Sequence, residues 1–204
     1  MPYKLVLFDL GNVIFDIDFS KQWRYLSAIT GQSIDQISQY NLYGSTALQF
    51  ERGDIDETSF RHYINDTIGY PLSYEQFLTA WNTIYGEPTD GINSLLQQLK
   101  PHYQLAVLSN TNGSHQKVWS VKYAPIIQHF DALFLSHEIN AIKPEAKAYT
   151  SVLDALQLAA NEVVFIDDKL ENVEAAQKLG MYGVHKTSAT QMHQDLQFLQ
   201  IKKA

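Results

Sequence analysis

Leu5-Val6-Leu7-Phe8-Asp9-Leu10-Gly11-Asn12-Val13 runs through four consecutive apolar residues and stops at an acid. An unbroken apolar run of that length reads as a strand buried on both faces, as in a parallel sheet covered by helices. Three more stretches repeat the design. Leu105-Ala106-Val107-Leu108 stops at Ser109, Ala132-Leu133-Phe134-Leu135 at Ser136, and Val163-Val164-Phe165-Ile166 at Asp167. Met181 to His185 is a fifth, weaker run. Helical stripes lie between them. Ile92, Leu95, Leu96 and Leu99 recur at helical spacing before Pro101. Tyr149, Val152, Leu153 and Leu156 follow Pro144, a residue suited to a helix start. Leu170, Val173, Ala176 and Leu179 end at Gly180. Strands alternating with helices predict an α/β fold, a doubly wound Rossmann-like parallel sheet built from residues 1–18 and 88–204.

Residues 19–87 show no buried-strand run. Ser33-x-x-Gln36 and Ser73-x-x-Gln76 both match the capping box that opens helices. Phe77, Leu78, Trp81, Ile84 and Tyr85 make one apolar face, and breaks fall at Gly31, Gly44, Gly53 and Gly69-Tyr70-Pro71. The stretch reads as an all-helical subdomain inserted after the first strand.

Composition narrows the chemistry. The chain has 204 residues, 45% apolar, with 15 Lys+Arg against 22 Asp+Glu and a formal charge of −7. A negative surface argues against nucleic-acid and anionic-membrane partners. No stretch approaches the roughly 18 apolar residues of a membrane span. Met1-Pro2-Tyr3-Lys4 carries no signal-peptide pattern, so a soluble cytoplasmic protein is expected, a monomer in the simplest reading. The absence of cysteine excludes disulfides, thiolate metal sites and a thiol nucleophile.

In an open parallel sheet, ligands bind beyond the carboxyl ends of the strands. The residues there are Asp9, Ser109-Asn110, Ser136 and Asp167-Asp168, with Lys143-Pro144 shortly after the third strand. Each alone has a plainer use as a turn former, helix cap or solvated lysine. Their coincidence at successive strand ends is what carries weight. Gathered carboxylates repel, a divalent cation relieves that, and all-oxygen ligation points to Mg²⁺. A cation, a lysine and neutral donors together suit a phosphate.

The order Asp9-Leu-Gly-Asn-Val, Leu-Ser109-Asn110, Lys143-Pro144 and Asp167-Asp168, with Asn172 following, resembles the haloacid dehalogenase superfamily over essentially the whole chain. The segments Phe8 to Phe19, Leu72 to Phe77 and Leu108 to Asn112 are similar to its bacterial α-D-glucose-1-phosphate phosphatase branch. The resemblance implies a Mg²⁺-dependent phosphatase for a small phosphorylated metabolite, a sugar phosphate such as glucose 1-phosphate. By the same resemblance, Asp9 is the nucleophile, forming an aspartyl-phosphate, and a metal ligand together with the Gly11 carbonyl and Asp168. Asp167 orients a water or the lysine from behind. Ser109 and Asn110 hold phosphate oxygens, Lys143 neutralises charge on Asp9 and the phosphoryl group, and the helical insertion forms a cap over the site.

One position departs from the superfamily. Gly11 stands where most of its phosphatases carry a second Asp as general acid/base, and His115 and Asp16 are candidates to supply the proton instead. Other readings compete. A metal-independent 2-haloacid dehalogenase would leave Asp167-Asp168 uncompensated. A catalytically weak phosphosugar-binding module fits Gly11. A phospho-acceptor receiver uses similar residues but is shorter and carries its acidic pair first.

Overall fold

Residues 3–200 are described by a computed structural model of the chain. Met1, Pro2 and residues 201–204, assigned to the core from sequence, lie outside the described residues. The strands are β1 Leu5–Phe8, β2 Phe15–Ile17, β3 Tyr85–Pro88, β4 Gln104–Ser109, β5 Ala132–Leu135, β6 Val163–Asp167 and β7 Tyr182–His185. Five of them form one sheet in the order β5-β4-β1-β6-β7, every pairing parallel. The chain winds from β1 outward through β4 to β5, then crosses back to β6 and on to β7. The strand order therefore reverses beside β1, between β1 and β6, and this is where such a sheet opens a crevice.

The period of two along a strand sorts the apolar runs onto two faces. Val6 and Phe8, Leu105 and Val107, and Val164 and Ile166 join one core cluster. Leu5 and Leu7, Ala106 and Leu108, and Val163 and Phe165 join the other. The first face is covered by α6 Ile92–Leu99, α7 Gly113–Lys122, α8 Ala124–Ile127, α12 Ala189–Asp195 and α13 Gln197–Gln200. The second is covered by α10 Ala146–Leu156 and α11 Leu170–Lys178. A short α9, Ser136–Ile139, follows β5 directly. Gly180 ends the α11 segment with φ +98°, a conformation that costs glycine little. The helix after Pro144 starts at Ala146 with Glu145 as its N-cap, so Pro144 belongs to the preceding loop rather than to the first helical turn.

Five helices occupy the insertion: α1 Phe19–Thr30, α2 Ile34–Gln39, α3 Ser45–Arg52, α4 Glu57–Ile68 and α5 Tyr74–Asn82. Both capping boxes form, on α2 and α5. Gly31, Gly53 and Gly69 each close a helix in the left-handed conformation. The five helices share a core of their own around Phe60, Phe77 and Trp81, separate from the two sheet cores. The chain enters and leaves this bundle through β2 and β3, which pair antiparallel as a two-stranded ribbon. The sequence showed no strand signal there. Phe15-Asp16-Ile17 is only three residues long, and Tyr85-Gly86-Glu87-Pro88 contains two residues that strands disfavour.

Candidate active site

The carboxyl ends of β1, β4 and β6 converge. Asp9 follows β1, Ser109 ends β4 and Asp167 ends β6. Into this edge reaches Lys143, from the loop between α9 and α10. Its side chain is 1% exposed, and its Nζ lies 2.8 Å from Asp9 Oδ1 and 2.6 Å from Asp167 Oδ2. Burial alone would drive a lysine toward neutrality. Here the Asp9 and Asp167 carboxylates outweigh it and hold the Lys143 ammonium above its usual range. Burial pushes Asp9 the other way, up to about 6, against the pull of Lys143 and with help from the Asp167 and Asp168 charges. Asp9 is therefore ionised at neutral pH but only just protected from protonation.

Asp167 is fully buried and its oxygens are spent. Oδ2 faces Lys143, Oδ1 accepts the Lys169 N–H at 2.8 Å, and Asn172 Nδ2 lies 3.0 Å from both. Asn172 is held in turn by Tyr149, whose hydroxyl donates to the Asn172 carbonyl at 2.8 Å. Asp167 is thus an anchor for the lysine, not an open ligand. Asp9 and Asp168 remain to face a ligand, and Asp9 Oδ2 makes no hydrogen bond within the described residues. Asp168 is aimed by Asn12, whose Nδ2 donates to Asp168 Oδ2 at 3.0 Å while its Oδ1 accepts the Ile17 N–H at 3.0 Å. Asn12 sits at φ +55°, where Asn is among the few tolerated side chains. Lys186 Nζ donates to its backbone carbonyl.

One carboxylate oxygen each from Asp9, Asp167 and Asp168 lie within 4.8 Å of one another. Three acids against one ammonium leave an excess of negative charge in a buried setting. Oxygen donors at this spacing fit a small divalent cation, whose opposite octahedral ligands stand about 4.2 Å apart. The residues present therefore suit such an ion, with Asp9 and Asp168 as its carboxylates and Gly11 beside them in the lining of the same cavity.

Other expected residues are placed with differing roles. Ser109 lines the cavity with its hydroxyl uncommitted to any described residue. Asn110 lines it too, but its side-chain amide is engaged with the Lys143 backbone, donating to the carbonyl at 3.0 Å and accepting the N–H at 2.8 Å. It sets the lysine's height. Ser136 is absent from the cavity wall. Its hydroxyl lies 2.6 Å from the Glu51 carbonyl and 2.9 Å from that of Thr111, and it accepts the Thr111 N–H. It ties α3 to the sheet edge. Asp16 is exposed and outside the lining. His115 lines the cavity but is committed: Nε2 meets the Trp81 carbonyl at 3.0 Å and Nδ1 meets Asn112 Nδ2 at 3.2 Å. Burial lowers its pKa to about 4, so it is neutral and keeps its Nε2 proton on Trp81.

The cavity encloses about 360 Å³. The sheet supplies its polar floor. Phe19, Tyr43, Ala47 and Leu48 from the helical bundle, with Ile17 and Tyr85 from the ribbon, supply an apolar roof. Glu51 and Lys169 are the charged residues in the lining that sequence reasoning did not single out. Glu51 sits in an amphipathic helix with no motif around it, and only the fold shows where its side chain goes. Asn12 had a weak signal, its place inside the β1 motif.

The model of the haloacid dehalogenase-like hydrolases matches residues 6–185. The chain belongs to that family. As a family member it is 32% identical to a sesquiterpene phosphatase of Aspergillus oryzae over 92% of this chain and 91% of the relative. It is 24% identical to a D-ribitol-5-phosphate phosphatase of Bacteroides thetaiotaomicron, over 95% and 96%. A crystal structure of a haloacid dehalogenase family enzyme from Bacteroides thetaiotaomicron, in complex with magnesium and inorganic phosphate, superposes with TM-score 0.78 at 29% identity. It covers 91% of this chain and 95% of that one.

Proposed function

We propose that the chain is a Mg²⁺-dependent phosphomonoesterase that transfers phosphate to Asp9 and then to water. The observation that carries this reading is the Asp9 carboxylate itself. Lys143 holds Oδ1, Oδ2 is unengaged, and both lie at the floor of a cavity deep enough for a small ester. Mg²⁺, held by Asp9, Asp168 and the Gly11 carbonyl, supplies neutralisation of phosphate charge when bound. Asp9 attacks phosphorus in line with the departing oxygen, and water then cleaves the aspartyl-phosphate. Lys143 offsets charge as it builds on Asp9 and the phosphoryl oxygens. Ser109, through its free hydroxyl, and Asn110, through its backbone, hold the oxygens that do not leave. Asp167 keeps the lysine charged and aimed. Residues 19–87 act as the cap, closing on the β2–β3 ribbon to exclude water.

The substrate is a small phosphorylated metabolite, and the relative acting on D-ribitol 5-phosphate supports a sugar phosphate such as glucose 1-phosphate. The apolar roof of Phe19, Tyr43, Ala47 and Leu48 favours a second reading for the leaving group, a hydrocarbon chain, in keeping with the sesquiterpene phosphatase relative. A panel of sugar, polyol and isoprenoid monophosphates assayed with Mg²⁺, with EDTA, and with Asp9→Asn separates these. Activity that survives both metal removal and Asp9→Asn would sink the phosphatase reading.

A further inference from the structure

Gly11 leaves the reaction without a proton source at the usual place, and the two candidates read from sequence do not fill the gap. Asp16 is exposed and absent from the cavity lining, and His115 has its proton engaged on Trp81. Among the described residues, three acids line the cavity: Asp9, Asp168 and Glu51. The first two are taken up by phosphate transfer and the metal. Glu51 comes from the last turn of α3, so it approaches from the bundle side, where the leaving group must lie if Asp9 attacks in line from the sheet side. Its backbone is docked rather than free. The Ser136 hydroxyl meets the Glu51 carbonyl at 2.6 Å, Asn140 Nδ2 donates to the Arg52 carbonyl at 3.3 Å, and Arg52 pairs with Glu145. The Glu51 carboxyl itself has no hydrogen bond or ion pair to any described residue.

Resting on the phosphatase reading above, we propose that Glu51 is the general acid/base of this enzyme, supplied by the cap in place of the residue missing at Gly11. As Asp9 oxygen bonds to phosphorus and the ester P–O bond breaks, the Glu51 carboxyl gives its proton to the departing alkoxide. The Glu51 carboxylate then takes a proton from the water that attacks the aspartyl-phosphate. That step releases inorganic phosphate and the Asp9 carboxylate and returns Glu51 to its starting state. The charged and titratable groups facing Glu51 are Asp9 and Lys143 on the floor, Lys169 at the start of α11, and Tyr43 and Tyr85 on the walls. Burial, reinforced by Asp9 and opposed by Lys169 and Lys143, raises the carboxyl to about 7, where it can both give and take a proton near neutrality.

The test uses Glu51→Gln, nearly isosteric, with two substrates. An unactivated alkyl phosphate needs its leaving group protonated, whereas p-nitrophenyl phosphate does not. The expected result is a loss of about 10²–10⁴-fold in kcat on the alkyl ester. On p-nitrophenyl phosphate a burst of nitrophenol should appear at near wild-type rate, followed by slow turnover as phosphate stays on Asp9. The wild-type activity limb above about pH 7 should vanish in the variant. A nitrophenol burst slowed as much as the alkyl ester's turnover, with unchanged circular dichroism, or no loss on the alkyl ester, would overturn the assignment to Glu51. A wild-type enzyme that hydrolyses neither ester would instead overturn the phosphatase reading, and the proposal with it.

Discussion

Replacing Lys143 by Met tests the electrostatic centre of the site. The ammonium is 1% exposed and touches two carboxylates, Asp9 at 2.8 Å and Asp167 at 2.6 Å. Methionine fills similar volume but leaves both acids without their cation. Removing one partner of a buried pair costs about 3–5 kcal/mol. Asp167 keeps Asn172 and the Lys169 N–H, which moderates its share. Asp9 keeps no other side-chain partner, so its pKa should climb above about 6 and part of the site should sit protonated at neutral pH. We expect Lys143→Met to lose about 3 kcal/mol in urea unfolding without metal. Mg²⁺ should restore part of that by supplying the missing positive charge. Phosphatase activity should fall about 10²–10³-fold, as for loss of a group that stabilises developing charge. In a double-mutant cycle with Asp167→Asn, the pair should be less destabilised than the sum by about 0.5–3 kcal/mol. A Lys143→Met protein within about 1 kcal/mol of wild type, with additive behaviour toward Asp167→Asn, would refute this electrostatic account.

Two further perturbations bear on the supports of the site. His115 titrates near 4 folded and near 6.5 unfolded, so between those values the unfolded chain binds the extra proton. Its contribution is complete above pH 6.5 and fades as pH falls toward 4, by about 3 kcal/mol in all. His115→Phe should flatten that part of the stability–pH curve, and an unchanged slope in urea titrations would contradict the buried neutral ring. Asn12→Gly keeps the φ of +55° accessible but deletes the amide that aims Asp168. Mg²⁺ affinity by calorimetry should weaken about 10–100-fold, while affinity equal to wild type would show that Asp168 needs no such support.

Much of this was legible in the chain because a parallel sheet buries both faces. Leu5 to Phe8 and Val163 to Ile166 are fully buried, and only such strands write unbroken apolar runs. The capping boxes at Ser33 and Ser73 were legible because they are local chemistry. The Asp9, Lys143 and Asp167 grouping followed from strand ends falling on one edge. What escaped reading depends on long-range geometry. The β2–β3 ribbon is too short and too broken by Gly86 and Pro88 to show alternation. Asn110 carries a motif position, yet only its hydrogen bonds show that its side chain holds the Lys143 backbone. For Asp167, expected to orient a water or the lysine, they show contact with the lysine. Glu51 is separated from Asp9 by much of the cap, and nothing in its neighbours Phe50 and Arg52 marks it as facing the floor of the sheet.

The central claim is that phosphate passes through Asp9. Rapid acid quench of the Mg²⁺-loaded enzyme mixed with a turned-over phosphomonoester, followed by peptide mass spectrometry, reads it directly. The account predicts an added phosphoryl group on the peptide carrying Asp9, absent in Asp9→Asn and formed no more slowly than steady-state turnover. Phosphate release with no label on that peptide at any time point, or full activity in Asp9→Asn, would contradict it.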